Sequence, residues 1–132
     1  MSNREHDLLG FDELTFDSNG LIPAVIQQHD TREVLMVAYM NRESIVETVE
    51  SGKTWFWSRS RKKFWMKGES SGHTQDVVEI RYDCDADCLL VFVDAAGPAC
   101  HTGERTCFYR TLCGPFPIDD DVHVAFAPDD DE

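Results

Sequence analysis

Asp76-Val77-Val78-Glu79-Ile80-Arg81-Tyr82-Asp83-Cys84-Asp85-Ala86-Asp87-Cys88-Leu89-Leu90-Val91-Phe92-Val93 consists of two apolar-rich runs joined by an acidic, turn-prone segment. Val, Ile, Tyr and Phe suit a pleated, half-buried surface, so 76–82 and 88–93 are predicted antiparallel partners. The junction carries the chemistry. Asp83, Asp85 and Asp87 flank Cys84, setting hard oxygen and soft sulfur donors side by side. Clustered carboxylates suit magnesium, manganese or calcium, and thiolate suits zinc, because cations prefer donors of matching hardness. If the segment is extended, the carboxylates share one face and Cys84 takes the other. If Asp85-Ala86-Asp87 is instead a hairpin turn, the carboxylates ring its tip. In both cases the oxygens converge and the sulfur points elsewhere.

Downstream, Gly97-Pro98-Ala99-Cys100-His101-Thr102-Gly103 and Cys107 bring two more thiols, Cys100 lying 16 residues after Cys84 and Cys107 a further 7 on. Three sulfurs are one short of a closed structural zinc site; three protein ligands with an open position are the catalytic arrangement. Cys88 or Cys113 could complete a set of four cysteines. Cys88 begins an apolar run and reads as a buried small hydrophobe, and Cys113, before Gly114-Pro115, reads as a loop thiol. Two rival readings follow. A zinc module that only supports folding would recruit one of these two cysteines, and a redox switch would form reversible disulfides.

A chain of 132 residues is long enough for one domain with a core that needs no disulfide staples. Five cysteines, an odd number, with no basic-then-apolar N-terminal signal and no long apolar run, imply a reducing cytoplasm and no membrane. The net charge of −13 is concentrated at the ends. Residues 1–20 carry five acids against Arg4, and residues 119–132 carry seven acids and no base. The expected organisation is a loose acidic arm over 1–15, a catalytic domain over 16–117 and an acidic tail over 118–132. Six bases, Lys53, Arg59, Arg61, Lys62, Lys63 and Lys67, fall within one short segment. An anionic small molecule is compatible with that balance, whereas a long nucleic acid is poorly supported.

Outward from the hairpin, Leu21–Gln28 predicts a strand that Pro23 pushes toward a sheet edge or starts later. His29-Asp30-Thr31-Arg32 predicts a hairpin turn into Val34–Met40, a strand buried on both faces by its continuous apolarity. Asn41 is an N-cap, with Met40 and Ile45 as a hydrophobic staple around it. The helix turns Ile45, Val46 and Val49 inward, runs to about Ser51, and stops at Gly52 in the left-handed cap position. Thr54–Trp57 predicts an aromatic strand and Thr106–Arg110 a last short one. Five or six strands to one main helix indicate an α+β fold with a mostly antiparallel sheet.

Trp57-Ser58-Arg59-Ser60-Arg61 is either a solvated basic edge that blunts strand pairing or a phosphate site of two arginine forks and two hydroxyls. Gly68–Gly72 is a plain turn or an anion-holding loop. His73 and His101 are the candidate acid–base groups, and His101 adjoins a candidate ligand.

These residues resemble the phosphoribosyl-AMP cyclohydrolase family, which opens the adenine ring of a histidine precursor. The match runs from about Gly20 to Arg110. It includes Glu33-Val34-Leu35-Met36 through Asn41, Trp57-Ser58-Arg59-Ser60-Arg61, Trp65 with Lys67-Gly68-Glu69, Ser71-Gly72-His73, Asp83-Cys84-Asp85 with Asp87, and Gly97–Gly103 followed by Cys107-Phe108-Tyr109. The resemblance implies zinc at Cys84, Cys100 and Cys107, magnesium at Asp83, Asp85 and Asp87, and a homodimer whose subunits share each zinc site at the interface. It implies a zinc-activated water that attacks C6 of the substrate adenine and cleaves C6–N1. His101, or less directly His73, would move the proton, and Trp57, Arg59, Ser60, Arg61 and Lys67 would bind the substrate. Ala86 departs from the family's usual glycine, and Cys88 and Cys113 are extra thiols. The chain is too short for the second, pyrophosphohydrolase domain that many relatives carry, so only ring opening is expected.

Overall fold

The computed structural model describes residues 11–118. The expected acidic tail lies outside them save Ile118, as do residues 1–10 of the expected arm. Residues 11–15 lie against the body: Phe11–Glu13 form a 3-10 turn, Phe11 is buried in the core, and the Thr15 amide donates to the Ala86 carbonyl at 2.7 Å.

Six strands and one helix follow in chain order: β1 (Ile22–Gln28), β2 (Val34–Met40), α1 (Arg42–Ser51), β3 (Trp55–Ser58), β4 (Lys63–Met66), β5 (Gln75–Tyr82) and β6 (Leu89–Ala95). They build a four-stranded sheet of order β2-β1-β6-β5 and a separate β3-β4 hairpin. The fold is therefore α+β and mostly antiparallel, with one parallel pair, β1 against β6.

The β5–β6 hairpin forms as its alternation predicts, in register Tyr82↔Leu89 through Gln75↔Ala95 with one irregularity at Val77/Glu79. Its turn is the second of the two geometries weighed for the acidic segment. Ala86 N–H donates to the Asp83 carbonyl at 2.9 Å and Asp83 N–H to the Cys88 carbonyl at 3.1 Å. Ala86 takes φ 60°, a left-handed position that costs a residue with a Cβ on the order of 1 kcal/mol. The opposite edge departs from expectation. β2, the last strand of its sheet, packs only one face on the core: Val34 and Val37 are exposed while Leu35, Met36 and Met40 are buried. Continuous apolarity measured hydrophobicity, which here covers one packed face and one open face. Pro23 also sits in an interior strand rather than at an edge. It pairs with Tyr39 of β2, and the β6 ladder begins only at Ala24, so the missing N–H meets no partner strand on that side.

α1 forms for the predicted reasons with a sharper cap. Asn41 Oδ1 accepts from Ser44 N–H and Ser44 Oγ accepts from Asn41 N–H, each at 2.9 Å, and Gly52 closes the helix at φ 77°. Met40 and Ile45 are both in the core. Thr48, in place of a hydrophobe, is the second fully buried helix residue besides Ser44. Its hydroxyl donates to the Ser44 carbonyl at 2.7 Å and accepts the Trp55 N–H at 2.9 Å, tying α1 to β3. Phe56 is fully buried with its ring 4.8 Å from Trp65, joining the hairpin to the core. Thr54 links the two sheets: its N–H donates to the Gln75 carbonyl at 3.3 Å, its hydroxyl to Gln75 Oε1 at 2.8 Å, and its carbonyl accepts from Lys67 N–H at 3.1 Å.

The strand expected over Thr106–Arg110 does not form. Cys107 N–H donates to the Leu35 carbonyl at 2.8 Å and the Thr106 hydroxyl to Val34 at 2.7 Å, but the pairing ends there. The segment continues without a strand through residue 118, exposing Phe108, Leu112, Phe116 and Ile118. Among the described residues no helix is long and apolar enough to cross a membrane.

Candidate functional site

The loop Gly97–Cys107 is folded by its own backbone. Ala99 N–H donates to the Arg105 carbonyl at 3.0 Å, Cys100 N–H to Glu104 at 3.1 Å, and Gly103 N–H to Cys100 at 3.0 Å. This turn sets Cys100 and Cys107 close enough for each to influence the other's ionisation. The Thr102 hydroxyl donates to Cys100 Sγ at 3.0 Å and is the main cause that holds this thiol below the ordinary cysteine range. Cys107 moves the other way, pushed up first by burial and then by the negative charge of Cys100. The Lys67 ammonium acts on both, favouring thiolate in each case.

Cys84 is not with them. It lies exposed beside the hairpin tip, and among the described residues no three His, Cys, Asp or Glu side chains of one chain converge as a metal cage. Asp83, Asp85 and Asp87 share one turn, but their carboxylates do not converge as a metal-binding group. Asp83 Oδ1 accepts the Asp87 N–H at 3.1 Å, and Asp87, exposed on the turn, is pushed above the usual carboxylate range by partial desolvation, then by the charges of Asp83 and Asp85. Cys88, half-buried, is raised by burial and by Asp83 and Asp87, in keeping with an inert thiol.

A cleft of about 560 Å³ opens between the β3–β4 hairpin and the cysteine loop, lined among others by Ser58, Ser60, Arg61, Lys63, Trp65, Lys67 and His101. Four of the expected site residues, Ser60, Arg61, Lys67 and His101, meet there. Trp57 and Arg59 do not: they line a neighbouring cleft of about 310 Å³ with Asn19, Leu21 and Lys62, and the Arg59 guanidinium lies 4.1 Å above the Tyr39 ring. Alternation along β3 explains the place of Trp57, whereas Arg59 lies in the turn that follows. Phe56 and Trp65 pack inward as directly opposed partners, while Trp57 and its partner Phe64 meet edge-on at 5.0 Å on the other side.

His73 is not a lining residue of the larger cleft. Its ring lies flat against Gly97, where an added Cβ would come 2.6 Å from His73 Cδ2. The Trp65–Ser71 stretch closes over the same residue, because a Cβ on Gly68, at φ 85°, would come 2.4 Å from the His73 carbonyl carbon. Lining residues outside the expected site include Lys63, Met66 and Glu69. Lys63 was legible only as one of a basic run; its pairing with Ser58 across the hairpin is what faces it to the cleft.

Residues 36–109 match the family described as phosphoribosyl-AMP cyclohydrolase. The chain is 61% identical over 99 residues to the phosphoribosyl-AMP cyclohydrolase of Cereibacter sphaeroides, covering 75% of this chain and 83% of that one. It is 56% identical over 115 residues to the phosphoribosyl-AMP cyclohydrolase of Rhodospirillum centenum, covering 86% of each. A third relative, the histidine biosynthesis bifunctional protein HisIE of Halalkalibacterium halodurans, is 59% identical over 106 residues, and the match spans 80% of this chain but only 50% of that longer protein.

Proposed function

We propose, from the premise that this chain belongs to the phosphoribosyl-AMP cyclohydrolase family, that it hydrolyses the C6–N1 bond of 1-(5-phosphoribosyl)-AMP and so opens the adenine ring in histidine biosynthesis. The observation that carries this is a basic cleft ending at His101, beside the Cys100–Cys107 pair.

The donor chemistry fits two metals. Cys100 and Cys107 of one chain, with Cys84 supplied by a second copy, would hold zinc; the Asp83, Asp85 and Asp87 turn would hold magnesium. Bound zinc supplies a Lewis acid that makes water a competent nucleophile near neutral pH, and magnesium supplies charge neutralisation for a substrate phosphate. The chain's own residues do the remainder. Arg61 and Lys63, with the Ser58 and Ser60 hydroxyls, bind phosphate oxygens from one wall. Trp65 offers an aromatic face to the purine. His101 delivers the proton to N1 as the C6–N1 bond breaks, and its place in the cleft favours it over His73, which packs against Gly97.

A homodimer would account for two observations: among the described residues no metal-binding group includes Cys84, and the apolar Val34, Val37, Phe108, Leu112, Phe116 and Ile118 are exposed. We assign the enzyme to a reducing cytoplasm, where its five free cysteines stay available. The direct test is an absorbance assay with phosphoribosyl-AMP, with and without a chelator. Turnover that the chelator abolishes, and that Cys100→Ser abolishes together with zinc binding, is the expected result. Retained turnover in metal-free Cys100→Ser protein would end the zinc reading.

A further inference from the structure

Lys67 was expected to meet a substrate phosphate, but its ammonium is engaged elsewhere: it donates to the carbonyl of Ala99, the residue before Cys100. Ala99 is buried at 2% exposure and its N–H is already given to Arg105, so Lys67 meets a carbonyl that would be costly to leave alone. The lysine is itself anchored from the other side. Its backbone N–H donates to the carbonyl of Thr54, a fully buried residue bonded in turn to Gln75, and Gly68 next to it packs on the His73 backbone. One path of hydrogen bonds therefore runs from the sheet junction through Lys67 to the cysteine loop, and it ends with a cation on the carbonyl of the residue next to Cys100.

We propose that Lys67 is a positioning residue of the sulfur site, tethering the Cys100 loop through the Ala99 carbonyl and holding a fixed positive charge beside the Cys100–Cys107 pair. The need for that charge is arithmetic. Three thiolates around a divalent cation leave one surplus negative charge, and a nearby ammonium offsets it while keeping the ligands aimed. The inference rests on the zinc reading above, and it takes Lys67 out of the set of phosphate contacts.

The test compares full-length wild type with Lys67→Met, Lys67→Gln and Lys67→Arg. Zinc affinity is read by competition with a chromophoric chelator, kcat and KM by ring opening, and folding by circular dichroism. Lys67→Met should weaken zinc binding about tenfold or more and lower kcat with little change in KM. Lys67→Gln, a donor without charge, should fall between, and Lys67→Arg should recover most of the zinc affinity. A folded Lys67→Met with wild-type zinc affinity and a raised KM would overturn the proposal in favour of phosphate contact. If Lys67→Met does not fold, the other two decide: recovery by Arg beyond Gln supports the proposal, and equal loss in both overturns it. Wild type that turns over substrate without zinc would fail the zinc reading itself, and this inference with it, in an experiment that involves no variant.

Discussion

Asp87 shows how the acidic turn is held in tension without a counter-ion. Partial desolvation at the exposed turn and the charges of Asp83 and Asp85 raise its pKa in the folded chain above the value expected when unfolded. The folded state then binds this proton first, so in metal-free protein the group lowers stability above its folded pKa, and the penalty disappears as pH falls through that value and then the unfolded one. Asp87→Asn removes the repulsion. In chelator at neutral pH the variant should have a higher urea midpoint than wild type, and the difference should vanish in acid. Divalent cation should reverse the order, because wild type then gains a ligand that the variant lacks. At this scale the sequence was informative about identity and silent about environment. Asp83, Asp85 and Asp87 were readable as residues of one turn from spacing alone, but nothing in the spacing could tell that their carboxylates do not converge, that Lys67 faces Ala99, or that Arg59 stacks on Tyr39 and so turns away from the larger cleft.

Local rules decided the elements they govern. α1 was legible from Asn41 to Gly52 because capping and the left-handed stop act within a few residues. Asn41→Ala removes the acceptor of the Ser44 N–H and one half of a reciprocal pair, and should cost about 1 kcal/mol of unfolding free energy, measured by urea titration with far-UV detection. The β5–β6 hairpin was legible for the same reason, since its two strands and turn are contiguous. Elements whose state depends on distant partners were misread. β2 looked fully buried, yet only one of its faces packs on the core and Val34 and Val37 stay open, and Thr106–Arg110 looked like a strand but makes only a brief contact with Val34 and Leu35.

For the whole molecule, the proposed three-sulfur zinc site calls for a second copy. Among the described residues Cys84 forms no metal-binding group with Cys100 and Cys107, so under that proposal its sulfur comes from a partner. Subunit mixing tests this. Cys84→Ser and Cys100→Ser should each be inactive alone, yet a mixed dimer would keep one intact site, made of the sulfurs that neither substitution touches. Random exchange makes about half of the dimers mixed, so the mixture should recover about a quarter of wild-type turnover. No recovery after confirmed exchange would mean that the sulfurs of one site come from one chain. The sequence by itself determined the donor types, the acidic turn, the capped helix and the α+β class, because each depends on side-chain chemistry or on periodicity within one short segment. Only the tertiary structure decided that β1 runs parallel to β6, which of the WSRSR side chains enters the larger cleft, and that among the described residues Cys84 forms no metal-binding group with Cys100 and Cys107. Those facts belong to contacts between residues remote along the chain, where many pairings satisfy the same local pattern and the packing of one core selects among them.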